Sequence, residues 1–204
     1  MNEEIHPNEV RDWLAQLQAP GAETRNRIIA KMQSLGALRL FPILGRFLGD
    51  PDGEFRCLVA ETAFRIDPAA SVALLLPLLD DPEWEVRVEI CGLLHDIADE
   101  RTIPPLISRL EADPHPMVRN TAAYALGGIG SPVAIPALLK ALDEDHEYDE
   151  LGHSASGCAA TALDNILHTH HTRLKLPNGL CTLQPSPRGL DTLKAEALEL
   201  FRSL

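Results

Sequence analysis

Ile103-Pro-Pro-Leu-Ile-Ser-Arg-Leu110, Glu111-Ala-Asp-Pro-His-Pro116 and Met117-Val-Arg-Asn-Thr-Ala-Ala-Tyr-Ala-Leu-Gly-Gly-Ile129 form one continuous stretch that reads as two helices joined by a turn. In the first segment Ile103, Leu106, Ile107 and Leu110 stand at i, i+3, i+4 and i+7, an apolar stripe of helical period. Pro104 and Pro105 fall in the first turn, where a missing N–H does no harm. Asp113-Pro-His-Pro116 is a turn signal. In the second segment Val118, Ala122, Leu126 and Ile129 share a face, and Gly130 is placed to cap the helix end. Ala122, Ala123 and Ala125 are small enough to let another helix approach closely.

The arrangement recurs along the chain. Arg25, Arg56, Arg87 and Arg119 are spaced by 31, 31 and 32 residues. Asp50, Asp81 and Asp113 each lie six residues before one of the last three arginines, and Pro51, Pro82 and Pro114 follow those aspartates directly. Leu48, Leu79, Leu110 and Leu142 keep the same spacing, as do Pro42, Ala73, Pro104 and Pro136, and Gly36, Asp67, Ala98 and Gly130. Two helices alone cannot bury their apolar faces, whereas stacked pairs can. The expected fold is therefore all-α: a right-handed α-solenoid, or superhelix, of four to five helical pairs with capping helices. The aspartate in each turn and the arginine in the next helix's first turn are expected to form a structural ladder of charge-assisted hydrogen bonds through Asp50, Arg56, Asp81, Arg87, Asp113 and Arg119.

The ends depart from the repeat. One domain is expected over 1–204, with a cap and partial repeat at 1–36, regular repeats at 37–142 and an atypical repeat at 143–204. His6–Gln18 reads as a capping helix with Val10, Trp13, Leu14 and Leu17 on one face. Thr24–Leu35 fits the second-helix register, with Ala19 where an aspartate is expected. Ala160-Thr-Ala-Leu163 aligns with Ala123-Tyr-Ala-Leu126 after an insertion of about five residues, which puts Ser156 in the arginine column. The insertion, Asp143-Glu-Asp-His-Glu-Tyr-Asp-Glu150, holds six carboxylates in eight residues. It does not match an EF-hand: the sixth position is Tyr148, where that loop needs glycine. Thr172–Gly189 reads as a loop or small hairpin, and Leu190–Ser203 as a closing helix with Leu190, Leu193, Ala197, Leu200 and Phe201 inward.

Helix, Asp-Pro turn, Val118-Arg-x-x-Ala-Ala-x-Ala-Leu-Gly-x-Ile-Gly130 and then Ala134-Ile-Pro-Ala-Leu-Leu139 resemble HEAT repeats, more narrowly those named after phycobilisome bilin lyases. The resemblance is best over Val118–Leu142 and Val86–Leu110, and decays over Thr24–Leu79. It implies a binding surface built from the second helices. Positions there turned away from the apolar stripe are Glu61, Arg65, Glu89, Asp96, Asn120 and Tyr124, with His95 at the edge and Trp84 in the turn before Arg87. A metal-hydroxylase branch of the family carries His-Glu directly after Val-Arg. The corresponding pairs here are Cys57-Leu58, Val88-Glu89 and Asn120-Thr121, without histidine.

Charge narrows the function classes. Eighteen Lys and Arg against thirty Asp and Glu leave a formal charge of −12. Binding nucleic acid through phosphates needs a basic footprint, and an anionic membrane repels such a chain, so neither partner is expected. No basic-then-apolar leader and no long apolar run occur, so cytoplasmic residence is expected. Cys57, Cys91, Cys158 and Cys181 form no CxxC pair, and reduced cysteines are expected. His168, His170 and His171 lack metal-ligand spacing, Cys158 and His153 are loosely placed for nucleophilic chemistry, and no metal or cofactor is expected. The reading is a non-enzymatic protein-binding module with a basic protein partner, in one version a bacterial immunity protein that neutralises a cationic toxin. Its recognition residues are those second-helix positions together with Asp143, Asp145, Glu147, Tyr148 and Asp149 of the insertion. The alternative implied by the resemblance is a bilin lyase or chaperone holding a tetrapyrrole near Trp84, Tyr124 and Glu89.

Overall fold

The computed structural model describes residues 5–18, 21–169, 171–172, 174–175, 181–182 and 187–204. It is an all-α solenoid of HEAT-like helical pairs, and its contacts divide into two compact units, Met1–Leu93 and Leu94–Leu204.

The first unit contains α1 (Pro7–Gln18), α2 (Ala22–Leu35), α3 (Ala37–Phe47), α4 (Gly53–Ile66), α5 (Pro68–Leu75) with a 3₁₀ extension (Leu76–Asp80), and the start of α6 (Trp84–Ile97). Asp52 caps α4 by accepting from the amides of Glu54 and Phe55, and Asp67 caps α5 by accepting from the Ala70 amide, with Pro68 at the first helical position. The stripe Val10, Trp13, Leu14 and Leu17 is buried against Ile28, Ile29, Met32, Leu40, Leu44 and Val59. Lys31 Nζ lies 4.0 Å from the Trp13 ring centroid. Pro42 lies inside α3, because that helix starts at Ala37. The corresponding stretches in the second unit instead form 3₁₀ turns (Glu100–Thr102 and Pro132–Ala134) before helices that begin just ahead of their prolines.

The second unit contains the end of α6, then α7 (Ile103–Ala112), α8 (Pro116–Ile129), α9 (Ile135–Glu144), α10 (Ala155–Leu167) and α11 (Pro187–Arg202). Val118, Ala122, Ala123, Ala125 and Leu126 of α8 are all fully buried. Gly127 is required by the closeness of α10: a Cβ there would sit 2.6 Å from the Ala162 Cα. The helix ends in the Gly36, Asp67, Ala98 and Gly130 column are left-handed at three of four positions, with φ of 82° at Gly36, 52° at Ala98 and 73° at Gly130.

Beyond α10, β1 (Leu174–Lys175) pairs antiparallel with β2 (Cys181–Thr182), placing Leu174 opposite Thr182. The rest of the expected loop or hairpin, along with His170 and Ala19, lies outside the described residues. Helix α11 starts three residues before the expected Leu190. Leu193 and Ala197 are buried, but Phe201 is 42% exposed, since it lies in the last turn beyond the packed stripe.

Candidate functional site

The site begins with the arginines, each in the first turn of a second helix. Arg56 is buried and donates Nε to Asp81 Oδ2 at 2.7 Å, Nη2 to Asp81 Oδ1 at 2.6 Å and Nη1 to the Asp50 carbonyl at 2.6 Å. It also reaches Glu83 at 3.1 Å. Arg87 Nη1 donates to the Asp81 carbonyl at 2.8 Å. Arg119 Nη1 donates to the Asp113 carbonyl at 3.0 Å, while its Nε and Nη2 hold Asp145 at 2.5 and 3.2 Å and Nη2 reaches Glu147 at 2.6 Å. Each arginine thus takes the carbonyl of its own turn, and Arg56 and Arg119 also grip the carboxylate of the following turn. Fork geometry makes such contacts strong and directional.

This places the acidic insertion differently from its reading as a partner-facing loop. Asp145 is the aspartate of the next turn, 32 residues after Asp113, and Glu147 stands to it as Glu83 stands to Asp81. Ser156, in the arginine column, closes the series with its backbone: its amide donates to the Asp145 carbonyl at 2.9 Å. Asp143 pairs with Lys194 of α11.

Asp149 organises what remains. Its Oδ1 accepts from the amides of Leu151 at 2.9 Å and His153 at 2.8 Å, and its Oδ2 accepts from Asn120 Nδ2 at 2.9 Å. The same Asn120 amide reaches the His153 carbonyl at 3.1 Å. Burial alone would raise the Asp149 carboxyl; the hydrogen bonds from His153, Asn120 and Leu151 overcome it and hold the group below its usual range. Asn120 is therefore not an outward position but 4% exposed, covered by this turn. A bridge between Tyr148 and Ser154 closes the turn, and Gly152 (φ 81°) makes its reversal. Tyr148 and Leu151 project from it, 70% and 71% exposed.

The other second-helix positions fall in two places. In the first unit Glu61, Arg65 and Glu89 are exposed, Trp84 is half-buried, and Arg65 approaches Glu61 at 3.5 Å. Desolvation, then the charge of Glu61, raises the Glu89 carboxyl above its usual range. In the second unit Asp96 and Tyr124 are exposed, and the His95 ring stacks on Tyr124 with centroids 4.4 Å apart, against Gly128.

Burial pushes the thiols of Cys57 and Cys158 up to about 11, away from the thiolate that nucleophilic catalysis requires. The histidine cluster is divided. His168 ends α10 in a left-handed conformation, and His171 lies 2.9 Å from Glu196. Asp164, which the sequence reading passed over, is 4% exposed and accepts from the Thr169 hydroxyl at 2.7 Å, the His171 amide at 2.9 Å and both the amide and hydroxyl of Thr172. It anchors the segment after α10. Among the described residues no three His, Cys, Asp or Glu side chains group to hold a metal. No single described helix is long and apolar enough to cross a membrane.

Residues 72–156 match the family described as HEAT repeats, in the register of the arginine series. That stretch of the chain carries HEAT repeats. It is 38% identical over 63 residues to epoxyqueuosine reductase of Bacillus subtilis, covering 31% of this chain and 16% of that protein. It is 28% identical over 158 residues to deoxyhypusine hydroxylase of Drosophila melanogaster, covering 74% of this chain and 50% of that one. Among solved structures, the complex of CpcE and CpcF of phycocyanin lyase from Nostoc sp. PCC7120 matches with a TM-score of 0.52 at 19% identity, over 81% of this chain and 66% of that chain. The chain thus spans half or less of the curated relatives, and its likeness to the lyase complex shows the fold alone. The pairs after its arginines lack the His-Glu of the metal-hydroxylase branch. Cys57, Glu89, Asn120 and Thr121 are the polar side chains they offer, and none is a histidine.

Proposed function

We propose that this chain is a non-enzymatic interaction module that binds a basic protein partner through the turn carrying Tyr148 and Leu151. The HEAT fold itself supports a protein-interaction role. The observation that carries the finer reading is the display of two large apolar side chains, 70% and 71% exposed, on a turn pinned by Asp149 and Asn120. A turn held in one conformation loses little entropy on docking, and an exposed tyrosine beside an aliphatic residue is the kind of anchor that carries interface energy. Around it the six carboxylates of 143–150 face two internal cations, Arg119 and Lys194. The surplus negative charge, on a chain of −12, steers a cationic surface toward the anchors. A cationic toxin, neutralised by this chain as an immunity protein, is one partner of that chemistry. The tetrapyrrole alternative gains no residue from a 19% likeness.

Affinity capture from native lysate, comparing the wild type with a Tyr148→Ala/Leu151→Ala variant, tests the reading. A basic protein retained by the wild type at low salt, released at high salt and lost by the variant is the expected result. Equal retention by both proteins refutes a role for the turn. Neither side chain has an internal hydrogen-bond role, so the variant keeps the fold. Replacing Asp145, Glu147 or Asp149 would confuse binding with stability.

A further inference from the structure

The first unit holds a second feature that owes nothing to the turn. A cavity of about 320 Å³ opens between α2 and α4, lined by Arg25, Asn26, Leu58, Glu61, Thr62 and Arg65. Arg25 occupies the same position in α2 that Arg56 occupies in α4, yet it joins no rung. The Asp50 carboxylate that its register would offer is taken by Arg11 Nη2 at 3.1 Å and by the Asp52 amide at 3.1 Å. No described residue pairs with the Arg25 guanidinium, which faces the cavity. Thr62 is 1% exposed and lines the same cavity, and no described residue hydrogen-bonds its hydroxyl. Arg65 adds a second guanidinium, held by Glu61 at 3.5 Å.

We infer that this cavity is a carboxylate-binding site. Two guanidinium groups against one carboxylate leave one positive charge, which matches a monoanion. The Glu61 charge opposes a doubly charged phosphate. Arg25 is free to offer its planar fork, Thr62 a hydroxyl and Asn26 an amide, and Leu58 supplies an apolar wall for the body that carries the carboxylate. The carboxylate comes either from a peptide's C-terminus or from a free small acid.

The test is an NMR titration of the intact protein with N-acetyl-L-leucinate, N-acetyl-L-leucinamide and acetate. Saturable shifts at the Arg25 Nε–H and the Thr62 amide with the leucinate, and none with the uncharged leucinamide, are expected. Arg25→Gln should weaken that binding at least tenfold, and Thr62→Val by several-fold, with unchanged thermal midpoints showing that both fold. Acetate binding as tightly as the leucinate assigns the site to small free acids; acetate binding at least tenfold weaker assigns it to acyl-amino-acid or peptide termini. Equal shifts from the leucinamide, or binding that Arg25→Gln leaves unaltered, overturns the inference.

Discussion

Asp149→Asn tests whether the displayed turn is held as described. The substitution preserves shape and removes one charge. In the wild type three donors converge on the carboxylate: the amides of Leu151 and His153 on Oδ1, and Asn120 Nδ2 on Oδ2. An asparagine there has one oxygen and one NH₂. If its oxygen keeps the two backbone amides, its NH₂ faces the Asn120 NH₂ across 2.9 Å; if it flips, the NH₂ faces two amide donors. If Asn120 flips instead, its oxygen meets the His153 carbonyl; in every case at least one bond, about 1.5–3 kcal/mol, becomes a contact between like groups, and the expected loss is about 2–3 kcal/mol. Urea denaturation reads the global part. Hydrogen exchange at Leu151 and His153 reads the local part and should accelerate about 30- to 150-fold. Burial raises the Asp149 carboxyl but its hydrogen bonds lower it further, so the native group titrates below its unfolded value of 3.8. Its contribution is therefore complete above pH 4 and lost as pH falls through the depressed native value, and the variant should differ from the wild type least in strong acid. A loss under 0.5 kcal/mol at pH 7, with protection at Leu151 and His153 unchanged, refutes the account of the turn.

Asp81→Ala strands the buried Arg56 guanidinium and should cost about 3–5 kcal/mol in urea denaturation, whereas Arg101→Ala, which breaks the exposed pair with Asp99 and leaves the Asp99 cap in place, should cost little. Ala98→Gly removes a Cβ from a residue at φ 52° and should stabilise by about 0.5–1 kcal/mol, visible as a higher thermal midpoint. The Glu89 carboxyl titrates above its unfolded value, so its ionisation weakens the fold as pH rises through that interval; Glu89→Gln should raise the thermal midpoint at pH 7 and leave it unchanged at pH 4. Gly127→Ala forces a Cβ into the Ala162 backbone and should lose at least 2 kcal/mol, since the obstacle is main chain and cannot rotate away.

The helical pairs were legible because their signal is repeated. Val10, Trp13, Leu14 and Leu17 are buried as their spacing requires, and Gly130 takes the left-handed cap that ends α8. The carbonyl contacts of the arginines were not legible: the sequence shows an Asp-to-Arg offset of six, but which atoms of the aspartate meet the arginine depends on how the turns stack. The pairing of Asp145 with Arg119 is legible in principle. The spacing of Asp145 from Asp113 repeats the column, but five other carboxylates crowd it, and a charge run reads as solvated surface. Asn120 defeats a helical-face argument for a different reason. Its face of α8 would be open in a regular repeat, and it is covered here by a turn that the regular repeats lack. Asp164 gives no local signal, because its donors lie five to eight residues on, in a segment without helical period.

The two ends of the arginine series differ from its middle in a way that bears on function. Arg56 is heavily engaged: own-turn carbonyl, next-turn carboxylate and a flanking glutamate take four of its five N–H donors. A residue so buried and engaged has little to offer a ligand. At the first position Arg11 reaches Asp50, and a guanidinium in the same helical register as Arg56 is left facing a cavity. At the last, a serine amide takes the carbonyl that an arginine side chain takes elsewhere. No guanidinium has to be seated there, and the chain between Asp145 and Ser156 is free to lengthen into a turn. The interior rungs join successive turns; where the series runs out, a cation and a longer stretch of chain are left outside any rung, and these are the groups proposed to meet other molecules. A repeat protein can alter its terminal units without breaking the register of the rest, because each unit depends only on its neighbours. Arg25 and the Tyr148–Leu151 turn are accordingly the places where substitutions should change binding with the least effect on stability.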